Sequence, residues 1–356
     1  MASLEHLTIK PTGACVHRCR YCVARKRLLA GRDVNPLAPG DWQRVMKEAA
    51  GLGASYLDIS GGEPVLYGDI LGLVKAAKQS FAFVSMNSSG YALDGARARA
   101  LRAAGLDQVI LSLMSLNPAV HDRVRGRTGS WRDLLAAIEA AKKSHLRLVL
   151  HFIVSAHNYR ELPELVKAAH VWQANALVLA HPEDDHETRR LLLGHDDFAQ
   201  LVRRVLPATL RAYARYGGAG CSTAASPLLR LYGATDDDKA GVLDGRYFES
   251  IEQAAQACRK PWTFLLVYPD GAVFPCNGAE YAGSHALGNV RVSTLAEILA
   301  GPELKHFRVR RHPYCLHCPS QRHVGLGIRT SRNPPYAASA REAAGEPVQF
   351  LRLVPS

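Results

Sequence analysis

A repeating strand-then-helix period over about the first 215 residues constrains this chain more than any single motif. "LEHLTIKPT" reads as a strand entering a loop, and "PGDWQRVMKEAAGLG" as a helix ending in glycine. The same pairing recurs in "SYLDISGGEP" with "GDILGLVKAAKQS", and in "FAFVSMNSSG" with "DGARARALRAAG". It continues in "DQVILSLMS" with "GSWRDLLAAIEAAKKS", and in "LRLVLHFIVS" with "NYRELPELVKAAHVWQ". "ALVLAHP" and the long "HDDFAQLVRRVLPATLRAYARYG" complete six units. Short β-rich runs separated by helical periods imply a parallel sheet with helices outside it. Six units are two short of an eight-fold barrel, so the expected α/β fold is a partial (β/α)6 TIM-like barrel. Chemistry in such folds sits at the C-terminal ends of the strands. "CVHRCRYC" lies just after the first strand, "SGGEP" at the end of the second and "MNSSG" at the end of the third.

The pattern changes near Gly217. Barrel residues 1–216 are followed by a glycine-, serine- and acid-rich connection, 217–254. A second, small domain is expected over 255–320, where "FLLVYPDGAVFPC" (264–276) carries the apolar–Pro-Asp-Gly–apolar signature of a hairpin. A basic tail, 321–356, remains. No apolar run reaches the roughly 18 residues of a membrane span, and "MASLEHLTIK" lacks an apolar signal core. The expectation is a cytoplasmic enzyme with no membrane partner. Eight cysteines there point to metal or redox use rather than disulfides. The net charge of +12 and pI near 9.4 favour anionic ligands, or reflect an arginine-rich solvated surface.

Cys15, Cys19 and Cys22 stand in the spacing C-x3-C-x2-C. Three cysteines leave half a zinc site, an iron–sulfur site or a chance cluster open; His17, inside the triplet, is the nearest fourth zinc ligand. With Tyr21 before the last cysteine and "GGEP" (61–64) after the second strand, the chain resembles radical S-adenosylmethionine (SAM) enzymes. The resemblance implies that the three cysteines bind three irons of a 4Fe–4S cluster and that SAM chelates the fourth. The reduced cluster would cleave SAM to a 5′-deoxyadenosyl radical, which removes a hydrogen atom from the substrate. It also implies that Gly61, Gly62 and Glu63 meet the methionine amino group, with Ser112 and Arg125 as further SAM contacts and Asn87 at a common third-strand position. Met114 stands where the family usually has an acidic residue, which suggests a changed substrate pocket.

Cys258, Cys276, Cys315 and Cys318 form a second set. Four ligands fit a structural zinc site; the pattern also resembles the C-terminal region of SPASM/twitch radical SAM enzymes, in its twitch version. That implies a second, auxiliary 4Fe–4S cluster fully ligated by protein, suited to moving an electron. Cys221 is left over, either a small buried hydrophobe or a thiol that returns a hydrogen atom.

Among twitch-type enzymes, the resemblance extends to aminocyclitol and sugar dehydrogenases and epimerases of antibiotic biosynthesis. The expected reaction is therefore epimerisation of a carbinol carbon in a sugar or aminocyclitol, with hydrogen return from Cys221. A dehydrogenase of the same carbinols is the first alternative, and a peptide- or RNA-modifying enzyme the second. The cysteine motif begins at residue 15, with no preceding peptide-recognition domain, which argues against a peptide. The expected partners are a small-molecule substrate and an external flavodoxin- or ferredoxin-type reductant, not nucleic acid. "HPEDDHE" (181–187) could bind a cationic sugar or be a solvated loop, and His151 could face the pocket or the packing.

Overall fold

The computed structural model describes residues 4–22, 36–180, 191, 193–216, 222–223, 259–278 and 285–310. Six strands come from the repeating units: β1 (His6–Ile9), β2 (Tyr56–Ile59), β3 (Phe83–Ser88), β4 (Gln108–Leu113), β5 (Arg147–Ile153) and β6 (Ala176–Ala180). Later in the chain come β7 (Ser222–Thr223), β8 (Phe264–Val267), β9 (Ala272–Phe274) and β10 (Gly288–Asn289). All ten form one sheet in the order β10-β9-β8-β1-β2-β3-β4-β5-β6-β7. From β8 to β7 every neighbouring pair is parallel. The expected partial barrel is therefore present. The later hairpin is present too: β8 pairs antiparallel with β9, and β8 also runs parallel to β1. The barrel sheet is thus continuous with the hairpin.

Local chemistry sets the helices. In α1 (Pro39–Gly51), Pro39 starts the first turn, and Trp42, Val45, Met46 and Ala49 form the buried stripe. Asp69 caps α2 (Ile70–Ser80) through the Gly72 amide, and Asp94 caps α3 (Gly95–Ala104) through the Arg97 amide. A helix that the repeating pattern does not announce, α4 (Pro118–Arg125), starts at Pro118 behind the Asn117 cap and precedes α5 (Ser130–Lys143). Beyond α6 (Leu162–Val171), the long sixth helix is α7 (His195–Gln200) and α8 (Leu206–Tyr216), joined by a π-helical turn, Leu201–Val205. Pro207 explains that turn. It lacks an amide hydrogen and its ring would strike the carbonyl four residues back, so the ladder widens there.

Strand alternation sorts the two faces of the sheet. Leu57, Ile59, Leu111, Leu150 and Phe152 are buried in one continuous core with the helices. The intervening residues line the inner face. At the strand starts, Tyr56 stacks on Phe83 at 5.5 Å, and the His6 ring meets Tyr56 and Phe264 edge-on at 4.5 and 4.8 Å, forming an aromatic floor. Above it the lining is polar: Gln108 donates to Ser85, and Asn87 to Asp58. Nearer the C-terminal ends, Asp58, Asn87, Ser112 and His151 remain partly accessible although their outward neighbours are buried. His151 therefore faces the lumen and not the helix packing.

Phe152, fully buried on the helix side, and His151 give a test of this assignment. Phe152→Ala is expected to cost about 3–5 kcal/mol by cavity formation. His151→Ala should cost well under half as much in the same denaturant titration.

Candidate active site

The site lies in the loops that leave β1 to β4. The chain from Lys10 to Cys22 crosses the barrel mouth, and the turn after β2 is pressed against it. Gly62 N donates to Thr12 O at 2.9 Å and Glu63 N to Ala14 O at 2.7 Å. Two glycines are needed for this approach. A Cβ on Gly61, whose φ is +121°, would lie 2.6 Å from Thr12 O; one on Gly62 would lie 2.2 Å from Ala14 O. "GGE" thus fixes the loop leading into Cys15.

Glu63 is 1% exposed. It accepts from Ser88 Oγ at 2.8 Å, from Ser89 N at 2.8 Å and from Ser89 Oγ. Burial raises its pKa, and these three donors oppose the rise. The end of β3 is thereby tied to the end of β2. Asn87 spends its amide on Asp58 Oδ2 at 2.6 Å. Asp58 Oδ1 is shielded and has no hydrogen-bond partner. Burial pushes this carboxyl up to about 8, with Ser85, Asn87 and Lys10 opposing. Lys10, itself 5% exposed, donates to Tyr268 Oη at 3.0 Å and lies 4.5 Å from that ring's centre.

Arg125, the last residue of α4, is 4% exposed. Its Nη1 donates to Tyr21 Oη at 2.8 Å and to Cys19 Sγ at 3.5 Å, and its Nη2 donates to Ser112 O at 2.9 Å. Burial works against its charge, yet Tyr21, Cys19 and Glu63 hold its pKa above the ordinary value. His151, paired with Ser112 across β4 and β5, is pushed down to about 4 by burial and by Arg125. So the structure gathers Cys19, Tyr21, Ser112 and Arg125 in one contact group, with Gly61, Gly62 and Glu63 against the same loop. Asn87 sits a layer lower, against Asp58.

His17 belongs to a different chain of contacts. Met114 N donates to His121 Nδ1 at 3.3 Å, which leaves the proton of His121 on Nε2 for Ser130 Oγ, 3.3 Å away. The Ser130 hydroxyl is then free to donate to His17 Nε2 at 3.2 Å. Burial first, and Arg125 next, push both histidines down to about 3, so both are neutral. His17 Nε2 is occupied by Ser130, and Nδ1, which then carries the ring proton, is shielded without an acceptor, so in this tautomer neither nitrogen offers a lone pair to a zinc ion. Among the described residues no three His, Cys, Asp or Glu side chains converge as a single-ion site requires. A cubane differs, because each thiolate meets a separate iron. The thiols must lose their protons to do so; burial pushes Cys15 up to about 11, and bound iron would supply the opposing pull. The buried Arg125 cation, beside Cys19, favours an anionic centre at the triplet. The donor set therefore fits a cluster.

Cys276, just beyond β9, is partly buried against Phe274 and its neighbours. Cys221, Cys258, Cys315, Cys318 and "HPEDDHE" lie outside the described residues. Sequence reasoning missed Asp58, Lys10, His121, Asn158 and Glu161. Asn158 Nδ2 holds the Met114 and Ile153 carbonyls, and Glu161 accepts from Ser115 Oγ and Leu116 N, so both brace the ends of β4 and β5. The charged Asp58 within the apolar strand "YLDI" was the visible signal.

Residues 9–169 match the model of the radical SAM superfamily, and residues 258–319 match that of an iron–sulfur cluster-binding domain, SPASM. Residues 9–169 thus form a radical SAM domain and residues 258–319 a cluster-binding domain; the cofactors are SAM and two 4Fe–4S clusters. The chain is 27% identical over 302 residues to the PqqA peptide cyclase of Rhizobium meliloti (strain 1021), covering 84% of this chain and 73% of that one. It is 28% identical over 341 residues to the PqqA peptide cyclase of Ruegeria pomeroyi (95% and 84%). Streptococcus suis SuiB, solved bound to precursor peptide SuiA, shares the fold with a TM-score of 0.67 at 18% identity over 91% of this chain and 72% of that one.

These findings overturn the sugar or aminocyclitol reading, as epimerase or as dehydrogenase, and with it the small-molecule partner. The enzymes similar in sequence are named for a peptide. A structure of anSMEcpe with bound AdoMet and Cp18Cys peptide covers 96% of this chain and 95% of its own, with a TM-score of 0.62 at 17% identity. Among the described residues, no helix is long and apolar enough to cross a membrane.

Two outcomes follow from the site. Gly62→Ala should drive a methyl into the Ala14 carbonyl, and anaerobic reconstitution should then load markedly less iron; native iron content would contradict the packing. For Asp58, a folded pKa near 8 against an ordinary 3.8 means that the folded state binds more protons between those values. Stability is therefore lost as pH rises from about 4 to about 8. Asp58→Asn should melt higher than native protein at pH 8, and the gain should vanish near pH 4.

Proposed function

We propose that this chain is a radical SAM enzyme that oxidatively modifies a peptide, with the reacting residue inserted into the barrel lumen. The observation that carries the reading is a lumen closed by aromatic rings at one end and partly accessible at the other, where the cysteine loop crosses. The names of the PqqA peptide cyclases, similar to this chain over most of its length, supply the substrate class.

In this reading Cys15, Cys19 and Cys22 hold the first cluster within the barrel, 1–216. Cys258, Cys276, Cys315 and Cys318 hold the second within 255–320, and 217–254 connects the two, ahead of the tail 321–356. When bound, the first cluster and SAM supply the power to remove a hydrogen atom from an unactivated carbon. The protein's own residues position and shield. The amides of Gly62 and Glu63 are already spent on Thr12 and Ala14, so "GGE" would hold the SAM amino group, a donor, through carbonyl oxygens. Ser112 and Asn87 offer polar groups to SAM on the lumen side. The neutral His151 and the Asp58 carboxyl face the inserted residue. With the sugar reaction set aside, Cys221 needs no role in hydrogen return.

The test uses anaerobically reconstituted protein with SAM, dithionite and the PqqA peptide, beside a panel of unrelated peptides. The expected result is 5′-deoxyadenosine formed together with a peptide lighter by two hydrogens. Turnover of non-peptide substrates alone would overturn the reading.

A further inference from the structure

Arg125 is a buried cation with no carboxylate partner. Among the described residues it makes no ion pair, and its Nε is shielded without an acceptor. Glu63, an acid whose charge acts on it, has both oxygens engaged by Ser88 and Ser89. Its own contacts are the Tyr21 phenol, neutral at pH 7, the Ser112 carbonyl and the Cys19 sulfur. A guanidinium taken out of water needs a compensating negative charge, or the arrangement is strongly unfavourable. Cys19 is the one of these contacts that can belong to an anionic cluster.

The backbone fixes this pairing. Arg18 N donates to Arg125 O at 3.0 Å, and Arg20 N to Val124 O at 3.1 Å. The amides on either side of Cys19 are thus tied to the last two carbonyls of α4. Cys19 is held in register with Arg125 whatever its sulfur binds, and at 9% exposure it is buried, whereas Cys15 and Cys22 are partly accessible. Tyr21 takes one hydrogen of Nη1 and Ser112 holds Nη2, so the other Nη1 hydrogen stays aimed at the sulfur.

We propose that Arg125 is a positioning residue that sets the reduction potential of the first cluster through an N–H···S hydrogen bond to Cys19. The inference rests on Cys15, Cys19 and Cys22 holding that cluster. Reduction adds one electron to the cluster, and a fixed cation at a ligand sulfur stabilises the reduced form more than the oxidised one. Hydrogen bonds to cluster sulfurs and local charge are the protein's means of tuning such centres. Arg125 therefore holds this potential above the value that the same three cysteines would give alone, which brings the cluster within reach of a biological donor.

The experiment is an EPR-monitored reductive titration of anaerobically reconstituted full-length protein, without SAM or peptide, and with the second cluster as internal reference. Arg125→Gln should shift the first cluster's midpoint to more negative values, Arg125→Lys should restore part of it, and the second midpoint should stay in place. An unchanged first midpoint in Arg125→Gln with the cluster intact would overturn the proposal. So would an unchanged midpoint accompanied by a loss of SAM affinity, which would mark a SAM contact instead. Should Arg125→Gln fail to hold iron, the native protein with guanidino-¹⁵N-arginine decides. A ¹⁵N coupling in the reduced first cluster is expected, and its absence refutes the inference. Native protein lacking any first cluster would instead refute the proposed function on which the inference rests.

Discussion

Two backbone hydrogen bonds, from Gly62 and Glu63 to the carbonyls of Thr12 and Ala14, carry the rest of the site. They make the exit of β2 a surface on which the cysteine loop rests. Only glycine at 61 and 62 lets the two backbones come so close. Glu63 then extends the tie to β3 through Ser88 and Ser89. On the other side, the end of α4 grips Arg18 and Arg20. The loop is thus clamped between β2 and α4, with Cys19 facing Arg125. A site arranged before its cofactors arrive spends less of their binding energy on ordering the chain.

The lumen follows from the sheet. A parallel sheet covered by helices must put one face of each strand into the apolar core, and Leu57, Ile59, Leu150 and Phe152 do so. The other face is then free to carry Asp58, Asn87, Ser112 and His151 beneath the loop. Hydrogen bonds among Asp58, Asn87, Ser85 and Gln108 hold part of that polar lining. The unpartnered oxygen of Asp58 and its raised pKa are the cost of keeping polar groups there.

The legible part of the fold was the local part. Alternation of β-rich and helical runs announced six units, and Pro-Asp-Gly announced the β8–β9 hairpin, because both are written in adjacent residues. The pairing of β8 with β1 was not legible, since it joins residues more than 250 positions apart. Neither was α4, only half of whose eight residues are apolar and which starts behind Asn117 and Pro118. In the site, the cysteine spacing and "GGEP" stand in the sequence. The contact between Arg125 and Cys19 does not, because it spans 106 positions and depends on how α4 docks. The substrate class is not legible for a related reason: the cluster motifs specify the radical chemistry and not what fills the lumen.

The central claim is that three cysteines leave one iron of the first cluster open to SAM, while the second cluster is fully held by protein. Mössbauer spectra of ⁵⁷Fe-reconstituted protein, with and without SAM, test it most directly. The account predicts that SAM changes the environment of a single iron in the first cluster and of none in the second. Spectra unaltered by SAM, or altered at the second cluster, would contradict it.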